Sequence, residues 1–427
     1  MDKVDQRGFD NQSSTTLSGR EAAAFLGVKR ETLYAYASRG LLRSEPGGPG
    51  RERRYLRDDL LRLKARHDAR AGHGPVAASA LRWGEPVLSS ALTAIDDDGP
   101  IYRGYAAASL SRRAAFEAVA ELLWGDELPG GEVRWEAGDL GVSLARLAAL
   151  VPAGAHPHLV LALAVPALGA ADPARAHTAV EVEKRRARSL IMRMAALAGL
   201  GREEGRAAVP EALRERSVAR ALLRALGAKA SALGEAAVNR ALVVSADHEL
   251  NASTFGVRVA ASTGADLYAC LSAGIATLSG PLHGGASDQV EALMAEAGRP
   301  EEARATVNER ARRGEAIPGF GHTLYAEGDP RAAPLIEIAR DLGPKRLPLR
   351  TLLALVEATR DTGRGEPTID VGLCAVRAAL GLPPGSAGAL FAIGRAAGWV
   401  AHALEQRAQG FMLRPRARYV GPAKRGG

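Results

Sequence analysis

The chain has 427 residues, of which 47% are hydrophobic, 24% charged and 4% aromatic. That is length for two or three domains with a large buried core, and a composition that excludes intrinsic disorder. Two cysteines, Cys270 and Cys374, exclude a disulfide scaffold and a cysteine-based zinc site. The net charge of +8 is uneven: residues 1–74 hold 15 Lys/Arg against 10 Asp/Glu. A basic head of that kind either meets a polyanion, most simply nucleic acid, or solubilises the chain.

The first fourteen residues, MDKVDQRGFDNQSS, are polar and carry three acids. They lack the features of a signal or transit peptide. Residues 1–15 are expected to be disordered and the protein to be cytoplasmic. The longest apolar stretch, Leu159 to Ala171, is interrupted by Pro166 and falls short of the roughly 18–20 residues of a membrane span.

Ser18-Gly19-Arg20-Glu21 is a capping box that starts a helix running to Leu26, and Gly27 suits the tight turn that follows. A second helix begins at Lys29-Arg30 and ends near Gly40. Leu41-Leu42-Arg43, the tip EPGGPG and Arg51-Glu52-Arg53-Arg54-Tyr55 then read as a hairpin with a basic return strand. Two helices about a glycine turn, followed by a wing, make a helix-turn-helix arrangement. This stretch, with REAAAFLGVKRETLYAYASRGLL at its centre, resembles the winged-helix domains of the MerR and excisionase type. The resemblance implies a DNA-binding module at 16–66, or one retained for protein contacts. Arg30, Thr32 and Tyr36 would face the major groove, with Arg51, Arg53 and Arg54 on phosphates. Residues 67–83 read as a linker, with His67 and His73 facing solvent.

From Gly84 onward the apolar periodicity is helical. The clearest segments are Arg112–Leu123, Leu140–Leu150, Val180–Leu197 and Ser217–Leu226. Strand signals are confined to Pro86–Ile95 and the turn Asp96–Pro100. The fold class is therefore all-α. No phosphate loop, nucleotide fingerprint, nucleophile elbow or repeat is present, which points to a substrate cleft between helices.

Polar islands interrupt this rhythm. ADHELNASTF carries His248 ahead of the segment Ser253–Leu278, SGPLHGGA carries His283, and GFGHTLY followed by DPRA carries His322 and Arg331. Histidines wrapped in glycine are poorly explained by packing alone, because glycine destabilises a helix by about 1 kcal/mol. PTID places Asp370 at the head of Val371–Leu380, where an aspartate is ordinarily a helix cap. Arg395 lies inside the apolar run FAIGRAAGW, and a buried guanidinium needs an anion, either structural or substrate. Arg414 opens the basic tail RPRARYVG.

These islands, with Ile95-Asp96, IYRGY and AHALEQ, occur in one order over some 340 residues, and the chain from Gly84 to about Gly421 resembles citrate synthase. The resemblance implies a large helical domain at 84–284 and 381–427, and a small one at 285–380 that closes over the substrates. It implies condensation of acetyl-CoA with oxaloacetate, with Asp370 as base, His283 on the thioester oxygen and His322 protonating the ketone oxygen. His248, Arg331 and Arg395 would bind oxaloacetate, and Arg414 would be contributed by the neighbouring subunit of a homodimer. No metal and no cofactor beyond the acyl-CoA co-substrate is implied. Family members usually carry an aromatic residue after the base, where this chain has Val371, and often a cation after the His-x-x-Tyr segment, where it has Ala326-Glu327. A 2-methylcitrate synthase using propionyl-CoA, or a DNA-binding metabolite sensor on the same fold, are the alternative readings.

Overall fold

The computed structural model describes residues 16–26, 28–38, 42–46, 53–56, 59–60, 88–322, 324–325, 327–415 and 420–421. The chain divides into two compact units, Ser90–Arg414 and the remainder at both ends.

In the smaller unit, α1 (Gly19–Leu26) and α2 (Arg30–Ser38) accompany a three-stranded antiparallel sheet of β1 (Thr16–Ser18), β2 (Ser44–Pro46) and β3 (Arg53–Leu56), in the order β1-β3-β2. The capping box forms as its spacing requires. Ser18 N–H donates to Glu21 Oε2 at 2.9 Å, and Glu21 N–H donates to Ser18 Oγ at 3.3 Å. Ala22, Leu33, Leu42, Tyr55 and Leu60 form the core. β1 had no strand signal; it is recruited by pairing Thr16 to Ser18 against Leu56 to Arg54. The expected linker at 67–83, residues 1–15 and Arg51 lie outside the described residues.

Two expectations for this unit change. Tyr36 does not face outward: with Ala37 it packs against the core beside Leu33, because positions i, i+3 and i+4 of a helix share a face. Tyr34 is instead the exposed aromatic, at 53% exposure, on the side of α2 that carries Arg30. Arg54 braces the sheet, donating from Nε to Thr16 Oγ1 and from Nη2 to the Thr16 carbonyl, both at 2.9 Å. Arg53 Nη1 donates to Ser44 Oγ at 3.1 Å across the β2–β3 pair, and Thr32 is half-buried.

The larger unit opens on a small antiparallel sheet, β4 (Thr93–Asp96), β5 (Gly99–Tyr102) and β6 (Tyr105–Ala106), and is helical thereafter. The helices that shape the site are α3 (Ala107–Arg113), α4 (Phe116–Gly125), α5 (Leu144–Leu150), α6 (Pro157–Ala170), α7 (Val180–Leu197), α8 (Glu203–Ala212), α9 (Val218–Ala225), α10 (Ala232–Ser245), α11 (Ala252–Ser262), α12 (Leu267–Leu278), α13 (Ala286–Ala297), α14 (Ala303–Arg312), α15 (Ala332–Leu342), α16 (Leu347–Asp361), α17 (Ile369–Leu380) and α18 (Ser386–Gln409). The expected all-α class holds. α18 is the axis of the core, with α4, α7, α10, α11, α12 and α17 packed around it. It is also long and apolar enough to cross a membrane, but 94% of that window is buried within the protein.

Two periodic segments are broken. Arg112–Leu123 divides between α3 and α4, where Ala114 and Ala115 are extended. Asn239 of α10 makes the break stable, donating from Nδ2 to the Ala114 carbonyl and accepting the Phe116 N–H at Oδ1. Ser253–Leu278 divides at Gly264 (φ +82°), and Asp266 caps α12 through the Ala269 N–H at 2.9 Å.

Close approach at α18 depends on glycine. A Cβ at Gly398 would stand 2.4 Å from both the Ala246 carbonyl and Asp247 Oδ1, so only glycine lets the 246–250 loop lie on the helix. The Gly398 N–H donates to that Ala246 carbonyl at 2.9 Å. From the other side the buried Tyr102 hydroxyl accepts the Asp247 N–H (3.2 Å) and donates among the carbonyls of Val243 and Asp247, at 3.1 and 3.0 Å. The loop that carries His248 is thus clamped between a strand and a helix.

Candidate active site

Six of the expected residues converge from separate elements. His248 follows α10, His283 lies between α12 and α13, and His322 lies between α14 and α15. Arg331 is the N-cap of α15, Asp370 is in the first turn of α17, and Arg395 is in the middle of α18.

A chain of contacts links His248, His322, Arg331 and Asp370. His248 Nε2 is 2.8 Å from the Tyr325 hydroxyl, and the His248 and His322 rings are 6.0 Å apart. The Arg331 guanidinium lies 5.8 Å over the Tyr325 ring, and donates from Nε and Nη2 to Asp329 at 2.8 and 2.7 Å. Asp329 also accepts the Ile369 N–H at 2.9 Å, which fixes the turn presenting Asp370. The Asp370 carboxylate accepts from Ser287 Oγ at 2.7 Å and Thr368 Oγ1 at 3.3 Å. Asp370 is therefore not the helix cap: Thr368 holds that position, without a side-chain capping bond.

On the opposite side His283 Nε2 stands 2.9 Å from Ser253 Oγ, and its ring meets the Phe391 ring edge-on at 6.2 Å. Arg395 lies over the same Phe391 ring at 4.6 Å and donates from Nε to the Ser245 carbonyl at 2.7 Å. Its Nη1 is buried and has no hydrogen-bond partner. A guanidinium N–H at 1% exposure without a protein acceptor is available to an acceptor from elsewhere.

Burial sets the protonation states. His283 is pushed down to about 4 by burial and by the Arg395 charge. His248 is held well below the ordinary histidine range by burial and by Arg331, and burial also lowers His322. All three are neutral at pH 7, so they act as hydrogen-bond donors and acceptors without bringing charge. His322 Nδ1 accepts the Leu324 N–H at 3.1 Å, which leaves its one proton on Nε2. Burial raises Asp370 above the ordinary aspartate value, with Ser287 opposing it. A carboxylate moved toward neutrality is a better proton acceptor than an exposed one.

Arg414 is exposed beyond the end of α18, and no hydrogen bond or ion pair joins it to the other site residues among those described. Nor does any group of three or more His, Cys, Asp or Glu among the described residues stand close enough to hold a metal ion.

The family profile for the citrate synthase C-terminal domain matches residues 80–416. The chain belongs to the citrate synthase family. A helix-turn-helix domain profile matches residues 16–68. Citrate synthase 2 of Bacillus subtilis is 32% identical over 358 residues, 80% of this chain and 95% of the relative. The 2-methylcitrate synthase 2 of Corynebacterium glutamicum is 32% identical over 345 residues, 76% of this chain and 89% of the relative. Citrate synthase of Thermotoga maritima superposes with a TM-score of 0.66 at 26% identity, over 81% of this chain and 96% of that one. The Thermoplasma acidophilum citrate synthase, solved as a ternary complex with carboxymethyl coenzyme A and oxaloacetate, gives 0.67 at 26% identity over 80% and 96%. The protein is an enzyme of the citrate synthase type.

Within this citrate synthase fold, the residues that sequence reasoning missed are those that support the others. Tyr325, Asp329, Ser253, Ser287 and Phe391 each touch one of the six. Tyr325 and Asp329 lie inside islands already singled out, so the His-x-x-Tyr and Asp-x-Arg spacings were the available signal. Ser253 and Phe391 also lie inside the segments ADHELNASTF and FAIGRAAGW, whereas Ser287 sits on an ordinary helix and nothing local distinguishes it.

Proposed function

We propose that the enzyme condenses acetyl-CoA with oxaloacetate to give citrate and CoA, using the residues brought together around Arg395. The observation that carries this reading is the Arg395 Nη1 without a protein acceptor, buried near the neutral His248 and His283. The dicarboxylate is received by Arg395, Arg331 and His248. Asp370 takes a proton from the thioester methyl while His283 donates a hydrogen bond to the developing enol oxygen. The enol carbon then bonds to the ketone carbon of oxaloacetate, whose oxygen takes the proton on His322 Nε2. Water hydrolyses the resulting citryl-CoA, releasing the CoA thiol. The acyl-CoA is a co-substrate, and the scheme calls for no metal or further cofactor.

Closure of residues 285–380 over the substrates and a homodimer in which Arg414 comes from the neighbouring subunit belong to the same proposal. A dimer gives Arg414 a role that its exposed position in one chain does not. The test is thiol release from acetyl-CoA and propionyl-CoA, each with oxaloacetate. We expect kcat/KM to favour acetyl-CoA; a preference for propionyl-CoA would move the assignment to 2-methylcitrate synthesis. One methylene is worth only about 1–3 kcal/mol in a pocket, so the ratio lies within about 10–200-fold.

A second function rests on the helix-turn-helix match and on the outer face of α2. We propose that this unit binds DNA, in the cytoplasm, through Arg30 and the exposed Tyr34, with Arg53 near the backbone. In gel shifts against the DNA upstream of its own coding sequence, Arg30→Ala and Tyr34→Ala are expected to weaken binding, and affinity to fall steeply with salt. Unchanged affinity in both variants would remove the groove-facing role of α2.

A further inference from the structure

Behind the site a second polar chain runs through the core of α18. Arg258 of α11 is fully buried and donates to Gln406 Oε1 and Gln409 Oε1 at 2.9 Å each, and to Glu405 Oε2 at 2.5 Å. Its Nη1 also lies 3.1 Å from His402 Nδ1. A guanidinium can only donate, so His402 Nδ1 must be the lone-pair nitrogen and the ring proton must sit on Nε2. That proton points to Asp247 Oδ2 at 3.3 Å. Asp247 is itself fully buried, with Oδ1 in the hollow over Gly398 and the Thr93 side chain beside the carboxylate.

Asp247 and Arg395 are therefore opposite charges, both buried and close enough for each to act on the other's protonation. Among the described residues no ion pair joins them, and Asp247 instead accepts a hydrogen bond from the neutral His402 ring. If the carboxylate turned onto Arg395 it would occupy the nitrogen that a substrate carboxylate needs, since two unlike charges in a low-dielectric site attract strongly. We propose that His402 is a positioning residue for the condensation: by donating Nε2–H to Asp247 it holds that carboxylate away from Arg395 and keeps Nη1 open to the substrate. Arg258 sets the tautomer that makes this possible, and Gly398 provides the space in which the carboxylate rests. The inference rests on the reading of Arg395 as an oxaloacetate ligand.

The test uses the full-length protein, with thiol release giving kinetic constants and calorimetry giving oxaloacetate affinity directly. His402→Ala releases Asp247, and KM and Kd for oxaloacetate are expected to rise about tenfold or more with kcat little changed. His402→Gln retains an N–H donor and is expected to recover most of that loss. The double variant His402→Ala/Asp247→Asn, having no competing carboxylate, is expected to bind oxaloacetate more tightly than His402→Ala alone. A purely structural role predicts the reverse, a double variant worse than either single one. Asp247→Asn alone keeps the test open should His402→Ala fail to fold: it is expected not to raise KM, and a rise would overturn the proposal. Parent protein that neither releases thiol nor binds oxaloacetate would instead overturn the functional reading on which the inference stands.

Discussion

Asp370→Asn is expected to cut kcat for thiol release by about 10²–10⁴-fold, the range that a positioned general base contributes. The amide keeps the shape of the carboxyl group and its place between Ser287 and Thr368, but cannot take a proton. The same substitution is expected to leave the protein no less stable, and more stable at neutral pH. Burial raises the Asp370 pKa in the folded state, so the folded chain holds this proton to higher pH than the unfolded chain does. Stability from the protonated form is present below the unfolded value and is lost as pH rises through the folded value. Asparagine never ionises and escapes that loss. The melting temperature of the variant should therefore exceed the parent's at pH 7, and the difference should vanish toward pH 3. For the parent, the acid limb of the kcat profile should fall at a pH above that of an ordinary aspartate. An active Asp370→Asn enzyme, or an acid limb at the ordinary aspartate value, would remove Asp370 from the role of base.

Arg395→Met should give the second large effect, in binding rather than chemistry. Removing one member of a buried charge pair costs about 2–5 kcal/mol, so KM for oxaloacetate is expected to rise about thirtyfold or more. Folding stability should respond in the other direction or hardly at all. The guanidinium is buried, depressed to about 10 by burial, and one of its nitrogens has no protein hydrogen-bond partner. Methionine has nearly the same reach and buries no unsatisfied donor, and replacing such a cation by an apolar group is often neutral or stabilising. Urea unfolding of the two proteins alongside oxaloacetate titration measures both effects. A variant that loses stability and keeps its KM would show Arg395 to be structural, held for the Ser245 carbonyl it bonds.

Much of the candidate site was legible because its residues stand where folding alone would not place them. His283 and His322 stand among glycines that no helix requires, and Arg395 is the one charge in an apolar run from Ala387 to Val400. Chemistry of that kind conflicts with local structure, and the conflict shows in one dimension. The same holds for the capping box at Ser18 and Glu21, whose partners are three residues apart and need no distant help.

What the sequence by itself determined is thus the local and the anomalous: the helical class, the capping box and the six residues that break the apolar rhythm. Only the tertiary structure decided how those residues are supported and which way they face. Asn239, 123 residues from Phe116, supplies the hydrogen bonds that let α3 and α4 part within an unbroken helical pattern. Leu33 draws Tyr36 into the core and leaves Tyr34 outside, although both are tyrosines on one short helix. Ser287 lies on an ordinary helix and becomes part of the site only because α13 packs beside α17. The reason is common to all three: a hydrogen bond or a buried contact between distant segments is worth a few kcal/mol, enough to override local preferences of a few tenths, and its partner cannot be read from neighbouring residues.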